Sequence, residues 1–237
     1  KTYFVERITT NSSKTDLEYA VNVKDILEIY NIHPGQIEGA ILSSVVPPLN
    51  STILQAVEKI LGKRPLLVGS GMKTGLNIIM DNPKTVGSDM IVDAVAAIHE
   101  YPKPIVVIDM GTATTMSVVD KAGNYIGGVI LPGLKVSLDS LSGKTAQLPY
   151  ISLSTPDKVI GKNTIDCMRS GIIYGNAAQI DGIMDRMEAE LGEKASAVAT
   201  GGLAKFITPL CRHHIVYDDA LLLKGLLILY RKNTQHH

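Results

Sequence analysis

The length and composition of the chain suit one large domain or two lobes of about 100–150 residues each, with a sizeable core from the 45% hydrophobic residues. Lys+Arg and Asp+Glu number 23 each, and this zero net charge argues against nucleic-acid coating or membrane-surface binding, which need a basic excess. The longest apolar stretch, Ala220–Tyr230, is interrupted by Lys224 and Gly225 and is too short to span a membrane.

Strand and helix patterns alternate along the first half of the chain. In chain order they predict a strand at Tyr3–Ile8, a helix from Thr15 to about Tyr30, a strand at Gly39–Val46, a helix capped by Asn50 and ending at Gly62, a strand at Pro65–Val68 and a helix from about Ser88. Thr15 with Glu18 fits a capping box, and Gly62 suits a left-handed helix exit.

The second half begins with a three-stranded meander. Its strands are predicted at Ile105–Ile108, Thr114–Val119 and Tyr125–Ile130. The later elements are a helical stretch near Leu134–Leu141, a long helix over about Thr164–Leu191, a strand at Ala197–Ala199, a short helix, a strand at His214–Tyr217 and a closing helix at Asp219–Arg231. The two halves share a pattern, so we predict two related lobes, 1–103 and 104–237. The first half lacks the opening part of the meander, and we expect two strands and their turn to precede Lys1.

The strongest chemical signal is the segment Asp109–Thr115, which follows an apolar strand. Gly111 lets backbone amides approach an anion, Thr112, Thr114 and Thr115 add hydroxyl donors, and Asp109 suits a cation beside a phosphate tail. The same residues also fit a hairpin turn without any ligand, in which the aspartate binds backbone amides. Spacing alone leaves both interpretations open.

A second signal lies at the start of the helix near residue 88. Asp89 follows Gly87 and Ser88 there, and the field of a helix N-terminus keeps such a carboxylate ionised. An ionised aspartate can accept the proton of a substrate hydroxyl during phosphoryl transfer. The alternative is that Ser88 or Asp89 only caps the helix.

Two further segments carry weaker signals. Gly201 and Gly202 follow a short strand, and paired glycines let a flat nucleotide base or ribose lie against the backbone, although such turns are common without a ligand. Thr164 begins the long helix and suits a helix cap as well as a substrate contact.

Taken in order, these segments resemble the type III pantothenate kinase family over nearly the whole chain. The matching stretches are Ser43–Pro47, Lys73–Asn77, Asp81–Pro83, Gly87–Asp89, Asp109–Thr115, Gly127–Gly128, Leu131–Gly133, Thr145–Pro149, Gly161–Thr164, Thr200–Ala204 and Leu223–Leu226. Several of these motifs are generic individually, but their joint order is specific.

The resemblance implies an α/β fold of two lobes, each with a mixed sheet, as in actin and hexokinase. It also implies a cytoplasmic homodimer that phosphorylates the 4′-hydroxyl of pantothenate, the first step of coenzyme A synthesis, with ATP, Mg²⁺ and a monovalent cation, K⁺ or NH₄⁺. No nucleic-acid or membrane partner is expected.

Residue by residue, the resemblance makes Asp89 the proton acceptor and Asp109 the ligand of the monovalent cation. It places Thr112 on ATP and the turn of Gly201 and Gly202 opposite adenosine. Pantothenate is expected to contact Thr164 and the turn at 87–89.

Three departures from the family pattern bear on activity. The Asp-x-Gly-Asn-Thr phosphate loop of the family's first hairpin is not in this sequence, and we expect it before Lys1. Met90 stands where the family has arginine, which removes a fork of donors, and Met80 stands where a tyrosine lines the pantothenate pocket, which removes a hydroxyl. Two alternatives therefore stay open: a related kinase with a different acceptor, and a non-catalytic nucleotide-binding regulator on the same scaffold.

Overall fold

The computed structural model describes residues 2–144 and 148–235, and the chain divides into two compact units. The first unit comprises residues 1–73, 87–89 and 226–237, and the second comprises residues 74–86 and 90–225. The predicted halves, 1–103 and 104–237, divide the chain differently and stay a prediction. Of the matching stretch Thr145–Pro149, residues 145–147 lie outside the described part of the chain.

Between residues 2 and 73, the first unit contains two α-helices and a two-stranded parallel sheet. Its elements are α1 (Asp16–Ile29), β1 (Ile41–Leu42), α2 (Asn50–Leu61) and β2 (Leu66–Leu67). The predicted capping box is confirmed, because the Thr15 hydroxyl accepts a hydrogen bond from the Glu18 amide while the Glu18 carboxylate accepts one from the Thr15 amide at 2.8 Å. The left-handed exit at Gly62 is also confirmed, with φ of 63°.

Three sequence-based expectations for this unit are wrong. Residues 3–8 form no strand, because no described segment pairs with them; instead Phe4 stacks on Tyr30 with ring centroids 4.0 Å apart. The strand predicted at 39–46 is only two residues long. Asn50 does not cap α2, since a 3₁₀ turn at Pro47–Leu49 runs directly into the helix and Asn50 itself has helical backbone angles.

The second unit is built on a six-stranded mixed sheet, which confirms the predicted α/β class. Its elements are β3 (Asn77–Ile78), α3 (Ser88–Glu100, whose first two residues belong to the first unit), β4 (Ile105–Met110), β5 (Ala113–Val119), β6 (Asn124–Pro132), α4 (Leu134–Lys144), α5 (Thr164–Leu191), β7 (Ser196–Thr200), α6 (Ala204–Ile207), β8 (Ile215–Tyr217) and α7 (Leu221–Thr234, which enters the first unit at 226). The strand order is β3-β6-β5-β4-β7-β8. The predicted meander β4-β5-β6 is antiparallel, and the other pairs are parallel. None of the helices in residues 2–144 and 148–235 combines the length and the apolar composition that a membrane span requires.

The central strand β4 is buried on both faces. Val106, Ile108 and Met110 belong to a core with α4, α5 and α6, whereas Ile105 and Val107 face a second core formed with α3 and α7. Burying an aliphatic side chain of this size contributes about 1.5–3 kcal/mol. Asp109 is the one polar residue of β4, and by alternation it shares the face of Ile105 and Val107.

Helices α3 and α7 approach closely within the second unit. A Cβ atom built on Gly225 of α7 would lie 2.1 Å from the carbonyl oxygen of Val92 in α3. Near the other end of α3, Lys224 Nζ donates to Asp218 Oδ2 at 2.7 Å and to Glu100 Oε2 at 3.2 Å. The Tyr101 hydroxyl also donates to Asp218 Oδ2, at 2.9 Å. Backbone contact and a polar network therefore hold the two helices together.

Asp218 is expected to make the stability of the protein sensitive to acid. Burial alone would raise its pKa, but hydrogen bonds from Lys224 and Tyr101 outweigh burial and lower the pKa below the ordinary value of 3.8. A group whose pKa is lowered in the folded state stabilises the protein above its unfolded pKa and loses that contribution as the pH falls through the folded pKa. We expect Asp218→Asn to be less stable than the parent at neutral pH and to lose less further stability on acidification.

The measurement is the free energy of unfolding from urea titrations between neutral pH and the acid range below 3.8. Asp25→Asn, on the exposed side of α1, is the matched control and should keep the acid dependence of the parent. An Asp218→Asn protein with the same acid dependence as the parent would show that this network contributes no pH-dependent stability.

Candidate active site

Asp109 lies between two threonines near the end of the central strand. It pairs with Thr115 across the antiparallel β4–β5 ladder and with Thr200 across the parallel β4–β7 ladder. Directly paired residues project from the same face, and neighbouring strands are about 4.7–4.9 Å apart. The Asp109 carboxylate is therefore flanked by a hydroxyl side chain on either side.

The turn after β4 is held in place by close backbone packing. Gly111 N donates to Ala113 O at 3.0 Å, and Gly133 N, just after β6, donates to Thr112 O at 3.1 Å. A Cβ atom on Gly133 would lie 2.3 Å from Thr112 O, so only glycine allows this approach. Gly111 and Thr112 are exposed at the tip. The turn thus presents the two residues for which an ATP contact is predicted, and that contact stays a prediction.

Thr114 occupies a different environment from its neighbours in the motif. It pairs with Met110 rather than with Asp109, so its side chain points to the opposite face of the sheet from Thr115. The side chain is 1% exposed, and within residues 2–144 and 148–235 its Oγ1 has no hydrogen-bond partner. The geometry gives the predicted ATP contact of Thr114 no support.

Gly201 begins the turn that follows β7, beside the end of β4. Its φ is +94°, a backbone conformation that residues with a Cβ rarely adopt, and a Cβ there would lie 2.6 Å from Met110 O. Packing against β4 therefore explains this glycine even without a ligand. Its position next to the Asp109 strand agrees with the predicted role of Gly201 and Gly202 in binding ATP, which stays a prediction.

The first turn of α3 carries Asp89 in the first unit. Asp89 is half-buried. Ser88 is the first residue of α3, and its hydroxyl donates to Ser44 O at 3.0 Å and accepts from Ser43 Oγ at 3.0 Å. Gly87 and Ser88 directly precede Asp89, as predicted, and their contact with substrate stays a prediction.

The remaining predicted substrate residues lie on separate elements of the second unit. Met80 follows β3 and lies against β6, since a Cβ on Gly127 would be 3.5 Å from its sulfur. Met90 packs against the apolar core beneath α3. Asn163 caps α5 by accepting the Asp166 amide at 2.9 Å, so Thr164 is not the cap. Thr164 is exposed, and a pantothenate contact there stays a prediction.

The oxygen atoms around Asp109 suit a hard cation. Carboxylate and hydroxyl oxygens are ligands for Mg²⁺ and for alkali cations, and Mg²⁺ often combines one protein carboxylate with substrate phosphates. The part of the chain that the structure describes contains no group of three or more His, Cys, Asp or Glu residues able to hold a metal ion.

The structure gives contacts to two polar residues, Thr200 and Ser43, that the sequence interpretation named only within matching stretches and to which it assigned no role. Thr200 flanks Asp109 in the sheet. Strand alternation with Val198 indicates which face of the sheet Thr200 lies on, but only the pairing of β7 with β4 shows that Asp109 is its neighbour. Ser43 contacts Ser88 across 45 positions of sequence, and no local pattern predicts that contact.

An α/β fold with a glycine turn and an aspartate near the end of its central strand fits the class of phosphate-transferring enzymes. Comparison with known proteins is more specific: the model of the type III pantothenate kinase family matches residues 2–186. A type III pantothenate kinase of Exiguobacterium sp. (strain AT1b) is 46% identical over 229 residues, covering 97% of this chain and 90% of the relative. The chain belongs to the type III pantothenate kinase family, and the resemblance inferred from its motifs is confirmed.

A solved structure shares the fold at much lower identity. It is a Campylobacter jejuni protein described as a Baf family transcriptional activator, with a TM-score of 0.57 and 19% identity, and the match covers 89% of this chain and 88% of that one. At this identity the likeness concerns the fold alone.

Proposed function

We propose that the protein transfers the γ-phosphoryl group of ATP to the 4′-hydroxyl of pantothenate, the first step of coenzyme A synthesis. The observation that carries the proposal is the 46% identity to a type III pantothenate kinase over nearly the whole chain. The presence of Asp89, Asp109 and Thr112 supports catalysis over the alternative of a non-catalytic regulator on the same scaffold.

In the proposed reaction, Asp89 accepts the proton of the pantothenate hydroxyl as its oxygen forms a bond to the γ-phosphorus. The bond from that phosphorus to the oxygen bridging it to the β-phosphate breaks, and ADP leaves. Thr112 and the backbone of the Gly111 turn bind the phosphates, while Asp109 would hold a monovalent cation, K⁺ or NH₄⁺. A bound Mg²⁺ supplies positive charge that neutralises the phosphate oxygens. Positioning of the substrates and neutralisation of the phosphate charge account for most of the rate enhancement, as is usual in enzymatic phosphoryl transfer.

Two residues in which this chain differs from the family pattern, Met80 and Met90, affect the recognition of the acceptor alcohol. Met90 packs into an apolar core where the family has arginine, and the thioether of Met80 replaces a hydroxyl. Pantothenate recognition must therefore use other groups, for which we propose Thr164 and the turn at 87–89. A related acceptor alcohol is the second candidate. From the family resemblance we further propose that the enzyme is a cytoplasmic homodimer.

The direct test is ADP release by the full-length protein with ATP, Mg²⁺, K⁺ and pantothenate. We expect release to require pantothenate and to yield 4′-phosphopantothenate, identified by mass spectrometry. ADP release that does not require pantothenate, or that has a higher kcat/KM with another alcohol, would show that pantothenate is not the acceptor. ATP binding without any turnover would favour the regulator.

Asp109→Ala is expected to weaken the potassium dependence of the reaction. Removing the carboxylate removes the one anionic ligand that we propose for the monovalent cation. The measurement is the initial rate against potassium concentration, together with thermal unfolding midpoints with and without potassium, which do not depend on turnover. Asp139→Asn on the exposed side of α4 is the control and should respond to potassium as the parent does. An unchanged potassium response in Asp109→Ala would show that the monovalent cation does not bind at this residue.

A further inference from the structure

A chain of three serine groups joins the end of β1 to the start of α3 within the first unit. Ser43 Oγ donates to Ser88 Oγ at 3.0 Å, and Ser88 Oγ donates to the carbonyl oxygen of Ser44 at 3.0 Å. All three residues are half-buried. The first residue of α3 is thereby tied to a loop that lies 44–45 positions earlier in the sequence.

The loop that makes these contacts is itself anchored on both sides. Ser43 follows β1 directly, and Leu42 O accepts the amide of Val68, at the end of β2, at 2.8 Å. The Ser44 hydroxyl accepts the Val46 amide at 3.1 Å and closes a short turn. Ser43 and Ser44 O therefore present a donor and an acceptor at defined positions.

The hydroxyl of Ser88 is fully directed by these two partners. A serine hydroxyl has one proton, and here it is given to Ser44 O while a lone pair receives the proton of Ser43. With its side chain fixed in this way, Ser88 restrains the backbone from which the next residue, Asp89, projects. A catalytic group displaced by even a small distance loses much of its effect.

We infer that Ser43 is a positioning residue for Asp89, acting through the hydroxyl of Ser88. The inference rests on the proposed function, in which Asp89 accepts the proton of the acceptor alcohol. Ser43 itself needs no contact with either substrate in this role.

The test compares kcat among serine variants of the full-length enzyme at saturating ATP and pantothenate. Ser43→Ala is expected to lower kcat by roughly three- to tenfold, the value of one hydrogen bond, with the KM for ATP unchanged. Ser43→Thr keeps a hydroxyl and should restore kcat to within about twofold of the parent. Ser51→Ala, which removes the same group from the exposed side of α2, is the matched control and should match the parent.

A double-mutant cycle separates positioning from a general loss of stability. Ser88→Ala removes the partner through which Ser43 acts, so the double variant should lose no more activity than Ser88→Ala alone. The inference would be overturned if the losses of kcat in the two single variants multiplied in the double variant. It would also be overturned if the Ser43→Ala enzyme had the kcat of the parent. A Ser43→Thr enzyme that is as slow as Ser43→Ala would overturn it as well.

Asp89→Asn, assayed in parallel, distinguishes this inference from the proposed function. If Asp89→Asn turns over like the parent, the proton-acceptor assignment fails and the positioning role fails with it. If Asp89→Asn is inactive while Ser43→Ala is unimpaired, only the positioning role is wrong. Thermal unfolding midpoints of Ser43→Ala and Ser51→Ala should agree, since a loss of fold would lower the former and count against positioning.

Discussion

Replacement of Asp89 with asparagine is expected to lower kcat by about 10²–10⁴-fold, the usual contribution of a positioned general base. Asparagine keeps the size of the side chain, but its amide does not accept the proton of the acceptor alcohol. The residue lies in the first turn of α3 and is half-buried. The measurement is pantothenate-dependent ADP release at saturating substrate concentrations.

Asp25→Asn is the control for loss of a negative charge in the same unit. Asp25 is exposed on α1, and its replacement should leave kcat at the value of the parent. The KM for ATP should also be unchanged in Asp89→Asn, since the expected defect is in proton transfer. An Asp89→Asn enzyme with the kcat of the parent would show that another group, or the phosphate itself, accepts the proton.

Gly225→Ala is expected to destabilise the protein by about 1–3 kcal/mol, the usual cost of forcing a methyl group into a packed interior. The added Cβ would lie 2.1 Å from Val92 O and 2.9 Å from Val92 C, both of them backbone atoms of α3. Relief therefore requires α3 and α7 to move apart. The loss would be a large share of the 5–15 kcal/mol that typically holds a domain folded, and urea denaturation measures it.

Gly171→Ala is the matched control, with an effect of opposite sign. Gly171 lies inside α5, is exposed, and has no atom within 4 Å of the position a Cβ would take. Alanine is favoured over glycine by about 0.8–1.0 kcal/mol in a helix interior, so this variant should be as stable as the parent or more stable. A Gly225→Ala protein stabilised to the same extent as Gly171→Ala would mean that the helices separate without cost.

The elements with strong local signals were predictable from the sequence. The apolar run at 105–108 and the alternation that follows it predict β4, β5 and β6, and the long helix expected over 164–191 is α5. The capping box at Thr15 is a local hydrogen-bond pattern and is present as predicted. In each case the pattern of apolar and capping residues within the segment itself indicates the element, so composition and spacing carry the information.

Elements that depend on distant partners were predicted less well. Residues 3–8 have the composition of a strand but no described segment pairs with them, and residues 39–46 pair over only two positions. Asn50 has a side chain suited to a cap, but the preceding prolines begin a 3₁₀ turn that continues into α2. The intrinsic strand propensity of a segment shows that it can form a strand, but pairing with another segment in the folded chain determines whether it does.

The candidate site shows the same division between local and tertiary information. Asp109, Gly111 and Thr112 were recognisable because strand, turn and hydroxyl follow one another. Thr114 was grouped with them because it is a hydroxyl residue. In a strand, however, it lies on the same face as Met116 and Val118, which belong to the core, and this alternation could have shown that Thr114 is buried. The contact of Ser43 with Ser88 requires the folded chain.

The nearest obstacle at Gly225 is a carbonyl oxygen of the main chain, which is present whatever amino acid occupies position 92. No exchange of the Val92 side chain can therefore make room, and the two positions cannot co-evolve as an ordinary large–small pair. Divergence among descendants of this sequence should leave residue 225 unvaried while residue 92 drifts among aliphatic side chains.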